Sequence, residues 1–533
     1  MDGLERTGPL DRSRHVPPPH SGHSPATAAE EAVAVALAGV RPGLAAAYEA
    51  SLDGARAAVL TRLWRALAFE PLPWVVGREH GADSLTLLLA GGRRLEGPPA
   101  DPYATDSRVG EVRLDGRPCR QAARLVRALR VPHGAAFAAE LDDSTASLAL
   151  SRAGRPDGAE AGPRAGWEWE QRVVDGHPYH PNCRSRPGFT VAEQLAYAPE
   201  HRPLVELGLV PVRAAECLVA GEWPEHLRDG DRILVPVHPW QAEHVLKGET
   251  VLPGPAAHPL MALRTLAPAA GGPHVKTALS TRLTSSVRDI SAYSVETAAV
   301  LSAFAHALTE RLDGRLHITR TLGAATAYSP DLAAVLREPP EAYARPGERV
   351  VPVAALADTE LGRSPAWRAA FARLALSVCL RVLDLGVALE AHGQNLLVVL
   401  APDGSPLRLV YRDLADIRIS PARLARHGLP VPALSGRLVT DDETVLRRKL
   451  FGSLVAGALA STAGSAGAFA ECLAAGLDGL APTADSAALR SGPLPVKALT
   501  LMRLSPGVPG DQWAELPLPS AGGRGRRPEA AGG

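Results

Sequence analysis

Residues 389–417 read LEAHGQNLLVVLAPDGSPLRLVYRDLADI, and they decide how the C-terminal half is read. A helical apolar pattern runs in from Ser364 and is expected to end near Glu390. A polar loop with His392, Gln394 and Asn395 follows. Leu396–Leu400 is then an apolar strand, PDG a turn, and Leu407–Tyr411 the returning strand. Such a hairpin brings Asn395 and Asp413 to the same end. An amide and a carboxylate so placed are hard oxygen donors suited to Mg2+, which keeps waters and bridges nucleotide phosphates. Protein kinases place an Asn and an Asp by the same logic. A hairpin with polar ends is the plainer alternative, but Glu390, His392, Gln394, Asn395 and Asp413 cluster too tightly for it.

A second cluster lies upstream, in LRTLAPAAGGPHVKTALSTRLTSSVRDIS (263–291). Arg264, Lys276, Arg282 and Arg288 alternate with Thr265, Thr277, Ser280, Thr281, Thr284, Ser285 and Ser286. Cations and hydroxyls on short strands make a cradle for a polyanion, with Arg as a fork and Lys as a point charge. The spacing G-x-x-x-x-G-K-[ST] is absent, so this is no P-loop. A solvated strand face is the competing reading. Against it stands a bias of the whole chain. Only Lys247, Lys276, Lys449 and Lys497 are lysines among 57 basic residues, so a retained lysine is informative.

The third cluster is DGHPYHPNCRSRPGF (175–189), with His177, His180, Arg184 and Arg186 pinned by prolines. The two histidines have a spacing that suits a helical zinc pair, but Pro178 and Pro181 forbid a regular helix there. No Cys or carboxylate completes a ligand set. Two readings stay open: a rigid structural loop, and a preformed loop that presents imidazoles and guanidinia to an anion. Cys183 has no evident partner base and reads as filler. PVHPWQ (236–241) repeats the pinning at His238, and LREPP (336–340) is a weaker signal still.

Composition sets the outer bounds. The chain has 533 residues, enough for two to four domains. Hydrophobic content of 46% supports a large core. Lys+Arg and Asp+Glu are both 57, and a neutral chain argues against a general nucleic-acid or membrane-surface role. The cysteines 119, 183, 217, 379 and 472 are odd in number and scattered, which disfavours a disulfide framework or a structural zinc site and suits a reducing cytoplasm. The polar, Pro-rich N-terminus lacks a secretory apolar region, and no apolar run reaches the ~18 residues of a membrane span.

Along the chain, residues 1–25 and 518–533 are expected to be disordered. Thr27–Glu70 has helical spacing, SLTLLLAGG and EVRLDG read as strands, and SRAGRPDGAEAGPRAG (151–166) has linker composition. Residues 167–355 mix short strands with loops, and helices return from Ser364.

The motifs GHPYHPNCRSRPGF, PVHPWQ, LRTL, KTALSTRLTSSVRDIS, VLREPP, EAHGQNLLVV, YRDL and PVKALTLMRL occur in that order over roughly 165–505. The chain thereby resembles the IucA/IucC family, the NRPS-independent siderophore synthetases. The resemblance implies an α+β cupped-hand architecture. Its parts would be a thumb over 26–165, fingers over 166–355 and a palm over 356–517, usually as a dimer. It implies a cytoplasmic, ATP- and Mg2+-dependent ligase that adenylates citrate or a related carboxylate. An amine or hydroxyl nucleophile (a hydroxamate-bearing amine included) then condenses with the acyl adenylate. AMP and pyrophosphate leave.

Residue by residue, the same resemblance implies that Arg264 and Thr265 lie on a phosphate strand. Lys276 and Arg288 hold the α-phosphate and the carboxylate. His392, Gln394 and Asn395 line the nucleotide and acid pocket. Glu390, Asn395 and Asp413 serve the metal. His177 sits over the reacting phosphate as a lid, His180, Arg184 and Arg186 contact substrate, and Lys497 reaches it. Two departures stand out: Arg184 replaces a Lys of the family motif, and Ala262 replaces a Ser. The alternatives are a kinase-like phosphotransferase, for which Glu390 has the spacing but the H-R-D and D-F-G signatures are missing, and a non-catalytic anion- or siderophore-binding protein.

Overall fold

The computed structural model describes residues 25–106, 108–155, 162–283 and 286–519, and its mixture of helices and mainly antiparallel sheets is α+β. Apart from Pro25, Leu518 and Pro519, the expected disordered ends fall outside the described residues, as do Thr284 and Ser285. So do 156–161 of the expected linker. Its first residues instead finish the helix Gly134–Ala153, and Gly166 opens another helix.

The N-terminal layer starts where Thr27 caps the helix Ala28–Val40 through a reciprocal capping box with Glu30. The next helix, Ala45–Phe69, buries Leu60, Leu63, Trp64 and Leu67, the 3–4 spacing of a core-facing stripe. It packs on the helix Gly134–Ala153 and on a five-stranded antiparallel sheet whose strands follow chain order between Val75 and Cys119. Gly97 on that sheet has no room for a side chain, because a Cβ would meet the Trp64 ring at 2.8 Å.

The middle layer is a nine-stranded antiparallel sheet. At its centre Thr265–Pro268, His274–Thr277 and Leu332–Arg337 lie side by side. Thr265 pairs with Lys276, and Arg337 pairs with His274 two residues before Lys276. Side chains alternate faces along a strand, so this register points Thr265, Lys276 and Arg337 to one side.

The C-terminal layer surrounds the helix Pro365–Leu385, which packs on Ala466–Leu477. Its core also draws in Leu301, Phe304, Leu308 and Leu312 from upstream, so residues 301–312 serve this layer. The hairpin expected from the sequence is present as Leu396–Leu400 and Pro406–Tyr411, with Leu396 opposite Tyr411. Arg412 N–H donates to the Asn395 carbonyl at 3.0 Å, so Asn395 and Asp413 do leave the sheet at the same end. The preceding helix stops at Leu385 rather than near Glu390. Gly386 takes φ +113°, a left-handed cap that only glycine adopts cheaply, and Val387–Ala388 then pairs with Arg418–Ile419.

Two buried carboxylates tie the layers together. Glu70 accepts from Thr500 and Leu501 N–H at 3.1 and 2.7 Å, holding the helix Leu499–Leu504 against the N-terminal layer. Glu170 takes both Arg412 nitrogens at 2.6 and 2.9 Å, joining the region after Gly166 to the end of the hairpin. Both partners are buried. Losing one member of such a pair strands a charge at about 3–5 kcal/mol, whereas replacing both with apolar side chains is often neutral. Arg412→Met should therefore lower the urea midpoint sharply, and Arg412→Met with Glu170→Leu should recover most of the loss. Equal losses in the single and double variants would refute this account.

Candidate active site

The three layers enclose a cavity of about 1580 Å³. Three of the chain's four lysines, Lys276, Lys449 and Lys497, line it. On its sheet side Asp413 lies between Lys276 and Arg337, with Nζ to Oδ2 at 2.7 Å and Nη2 to Oδ1 at 2.9 Å. Asp413 has φ +75°, outside the regions a non-glycine residue prefers. Leu263, immediately before Arg264, has φ +65°. Each such residue costs on the order of 1–3 kcal/mol and persists only when its surroundings fix it. Here both strained residues line the same cavity.

The electrostatics follow from this crowding. Burial lowers the Lys276 ammonium to about 7, with Arg337 and Arg264 adding to the effect and Asp413 opposing it. Burial and the neighbouring Arg288 lower Arg264 to about 10. Burial would raise the Asp413 carboxyl, but Arg337 and Lys276 outweigh it and hold the group well below the usual carboxylate range. Arg264 donates to the carbonyls of Arg288 and Asp289, and Arg288 to the Leu283 carbonyl at 3.2 Å, so neither guanidinium spends its charge on a carboxylate.

Opposite lies the proline-pinned loop. His177 Nδ1 accepts from the N–H of Tyr179 and His180 at 3.2 and 3.0 Å, and His180 Nδ1 accepts from Asn182 N–H at 3.0 Å. His238 and His392 do the same with Trp240 and Gln394 at 3.1 and 3.3 Å. A His whose Nδ1 accepts must, when neutral, carry its proton on Nε2. The prolines provide this arrangement at three of the four: having no N–H, they leave the next residue to reach back to the ring. Burial keeps His177 well below its ordinary pKa, lowers His180 to about 3 and lowers His392 as well. His177 is exposed and lines the cavity, and the His180 Nε2 is buried without a partner. His177, His392, Arg288, Asp413 and Glu390 form one chain of electrostatic neighbours.

Arg184 and Arg186 line the cavity wall but are committed inward. Both flank Glu200, at 3.6 and 2.8 Å, and Arg184 also donates to the carbonyls of Val174 (2.6 Å) and Val173. The sequence reading gave them to substrate; Glu200, fourteen or more residues away, gave no local signal of the pairing. Glu390 lies between Lys449 and Lys497, whose Nζ atoms are 3.2 and 3.3 Å from Oε1. Asn395 donates to the Glu390 carbonyl at 3.4 Å. Among the described residues, Glu390 and Asp413 do not join a third carboxylate or imidazole in a group with ligand atoms within 4.8 Å; the one such group, Glu193, Glu243 and His244, lies elsewhere. Glu390, Asn395 and Asp413 are nevertheless hard oxygen donors, the chemistry Mg2+ takes with phosphate oxygens completing its shell. Residues the sequence reading passed over are Arg337, inside the weak LREPP signal, and Lys449, which the scarcity of lysine would have flagged. Asp416 and Asp511 gave no signal at all.

The sequence profile of the IucA / IucC family matches residues 166–358. Over those residues the chain is similar to that family. A second profile, described as ferric iron reductase FhuF-like transporter, matches residues 365–505. The two cysteines in that span, Cys379 and Cys472, are buried, and burial pushes both thiols up to about 12. The chain is 25% identical over 313 residues to a citryl-spermidine/3,4-dihydroxybenzoyl-citryl-spermidine:spermidine ligase of Bacillus anthracis, covering 47% of this chain and 51% of the relative. It spans about half the length of the curated relatives it matches. Its fold is that of the petrobactin biosynthesis protein AsbB of Bacillus anthracis (TM-score 0.73, 18% identity, 89% of this chain and 98% of that one). It is equally that of the ATP-bound aerobactin synthetase IucA of Klebsiella pneumoniae (TM-score 0.69, 20% identity, 88% and 99%). Among the described residues no helix is long and apolar enough to cross a membrane.

The buried Glu200 makes a pH prediction. Burial raises its carboxyl, but Arg184 and Arg186 outweigh that and hold it far below the ordinary value. A depressed folded pKa stabilises above the unfolded value of about 4.3, and that stability is lost as the pH falls below it. Glu200→Gln should cost about 3–5 kcal/mol at pH 7 by leaving two buried guanidinia unpaired. It should also flatten the acid limb of a plot of melting temperature against pH. An unchanged acid limb would show that Glu200 is not the group responsible.

Proposed function

We propose that this protein is an ATP-dependent, AMP-forming ligase that adenylates a carboxylic acid, citrate or a relative of it, and condenses it with an amine or hydroxyl nucleophile. The observation that carries the proposal is the pairing of a cationic strip with neutral N–H donors in one cavity. Lys276, Arg337, Arg264 and Arg288 line it together with His177 and His392, whose neutral rings carry their protons on Nε2. The spermidine ligase and the ATP-bound synthetase among the similar proteins support the same reading.

In the first step a carboxylate oxygen of the acid attacks the α-phosphorus of ATP. The bond to the β-phosphate oxygen breaks and pyrophosphate leaves. Negative charge builds on the α-phosphoryl oxygens, where preorganised donors count most because they need no reorganisation as the charge develops. Lys276, Arg264 and Arg288 serve as those donors, with Thr265 beside them. His177 adds an N–H that is neutral before and after the step. His392, Gln394 and Asn395 hold the nucleotide and the acid. Glu390, Asn395 and Asp413 would hold Mg2+, which supplies charge neutralisation of the phosphates. In the second step the nucleophile's nitrogen attacks the acyl carbon, the bond to AMP breaks, and the extra nitrogen proton passes to water. That step needs little beyond proximity. Lys497 and His180 orient the acid, while Arg184 and Arg186 shape the wall through Glu200. The reading keeps the thumb, fingers and palm at 26–165, 166–355 and 356–517, and a cytoplasmic homodimer.

The test is a pyrophosphate-release screen over citrate, succinyl-hydroxamates, 2-oxoglutarate and their monoamides. Acid-dependent AMP is the expected product, and hydroxylamine should trap the activated acid as a hydroxamate. ADP and phosphate would overturn the reading in favour of a phosphotransferase. Within it, His177→Ala should slow single-turnover AMP formation by roughly 10²–10³, the usual worth of one transition-state donor, with ATP affinity little changed. Weakened ATP binding at an unchanged chemical rate would make the loop a nucleotide clamp instead. Asp413→Asn should abolish adenylation, and full turnover with unaltered Mg2+ dependence would remove Asp413 from the metal site.

A further inference from the structure

The chemistry above draws on no residue before His177, yet the loop that carries His177 is fastened to the N-terminal layer. One face of the helix Gly134–Ala153 meets it with polar groups. Glu140 Oε2 accepts from Asn182 Nδ2 at 2.5 Å. Asp143 Oδ2 accepts from the Arg186 N–H at 2.7 Å and from the Ser185 hydroxyl at 2.8 Å. Ser144 Oγ donates to the Pro181 carbonyl at 3.1 Å and accepts from the Arg184 N–H at 3.2 Å. Ser151 donates at 2.7 Å to Glu200, the carboxylate between Arg184 and Arg186. Residues three, four or seven apart on a helix share a face, so these four make one polar stripe, while Phe137, Leu141 and Leu148 enter the apolar core of the layer. Arg152 then holds Asp175, with Nε to Oδ1 at 2.9 Å, and Arg62 of the neighbouring helix donates to the His177 carbonyl at 3.1 Å. Gly176 has φ +69°, and a Cβ there would meet the Cys183 carbonyl oxygen at 2.3 Å, so the loop closes on itself just before His177.

Such a stripe is costly as packing. Glu140 and Asp143 are like charges one turn apart on a helix. Burial raises the Asp143 carboxyl, and the Arg186 N–H and the Ser185 hydroxyl offset that only in part. Apolar side chains are often the more stable filling for a buried face. What the stripe supplies is geometry, because a satisfied polar network holds a loop in a single arrangement. Glu140 reaches further. It also accepts from Arg503, through Nε at 2.9 Å and through Nη2. Arg503 lies on the helix Leu499–Leu504, which follows the strand that ends at Lys497. One carboxylate of the N-terminal layer thus ties the segment carrying His177 to the segment carrying Lys497.

We propose that Glu140 and Asp143 are positioning residues of the active site. Through Asn182, Ser185 and Arg186 they hold the His177 donor where charge develops on the α-phosphoryl group, and through Arg503 Glu140 also sets the place of Lys497. The N-terminal layer thereby governs the rate of adenylation without touching the substrate. This inference rests on the ligase reading for its chemistry and on the hydrogen bonds alone for its geometry, so the two can fail separately.

The experiment uses the full chain and whichever acid supports pyrophosphate release. Asp143→Ala should slow single-turnover AMP formation roughly 10–100-fold, the cost of misplacing a group by about an ångström, with ATP affinity by calorimetry kept within about two-fold. Asp143→Asn, whose amide oxygen can accept the same two hydrogen bonds, should recover most of the rate. On a His177→Ala background the Asp143→Ala change should cost less than about two-fold, because the donor it positions is gone. Hydrogen exchange over residues 177–186 should quicken in Asp143→Ala, where the N–H groups of Tyr179, His180 and Asn182 are bonded to the imidazoles in the wild type. Glu140→Gln should show the same dependence on His177 and raise KM for the acid about three-fold or more. If Asp143→Ala does not fold, Ser185→Ala removes one of the two partners, leaves the carboxylate, and takes its place in the same comparisons. A loss as large without His177 as with it, an unchanged rate, or unchanged exchange over the loop would overturn the positioning role. An unchanged acid KM in Glu140→Gln would overturn the link to Lys497. Quickened exchange in the variant, with no acid-dependent AMP or hydroxamate from the wild type, would overturn the ligase reading instead.

Discussion

The organisation of this protein turns on one half-buried carboxylate. Asp413 sits where the middle sheet meets the end of a hairpin from the C-terminal layer, and it is the counter-charge for Lys276 and Arg337. Without it two cations would face each other across neighbouring strands in a poorly solvated cavity. With it they are held at fixed positions, and an ion pair joins the two layers at this point. The arrangement goes with an unusual backbone: Asp413 holds both cations from a left-handed conformation. Strain at this position is the cost of bringing groups from strands far apart in sequence to a single point, and the hydrogen bonds of the hairpin end hold it there.

The carboxylate also divides the cavity. Towards the sheet, positive charge exceeds negative and suits phosphates. Towards the segment Leu494–Trp513, the carboxylates Glu390, Asp416 and Asp511 alternate with Lys449, Lys497 and Arg437. In a chain that otherwise uses arginine, Lys276, Lys449 and Lys497 place compact point charges along this cavity.

How much of this was legible in the sequence depended on the range of the interaction. The hairpin at 396–411, the capping box at Thr27 and the proline-pinned imidazoles are local, and local patterns carried them. The end of the helix at Leu385 was misplaced because apolar spacing continues into the strand Val387–Ala388, and the signal that mattered was a single glycine. The pairing of Arg184 and Arg186 with Glu200 could not be read, since a guanidinium in a motif looks the same whether it faces a ligand or a buried glutamate. Arg337 escaped for the converse reason. Its neighbourhood offered only the weak LREPP signal, and the register of three strands is what brings it to Lys276.

The histidine geometry has a consequence for how the protein meets a change in acidity. Each ring in this cavity that has given its Nδ1 lone pair to a peptide N–H can take up a second proton only by breaking that bond. Imidazole, ordinarily the group that senses the range around neutrality, is thereby made indifferent to it. The group left near neutrality is Lys276, a residue type that elsewhere stays charged until far into the alkaline range. The usual division of labour is inverted: the histidines are held as neutral donors, much as backbone amides are, and the group brought towards neutrality is an amine.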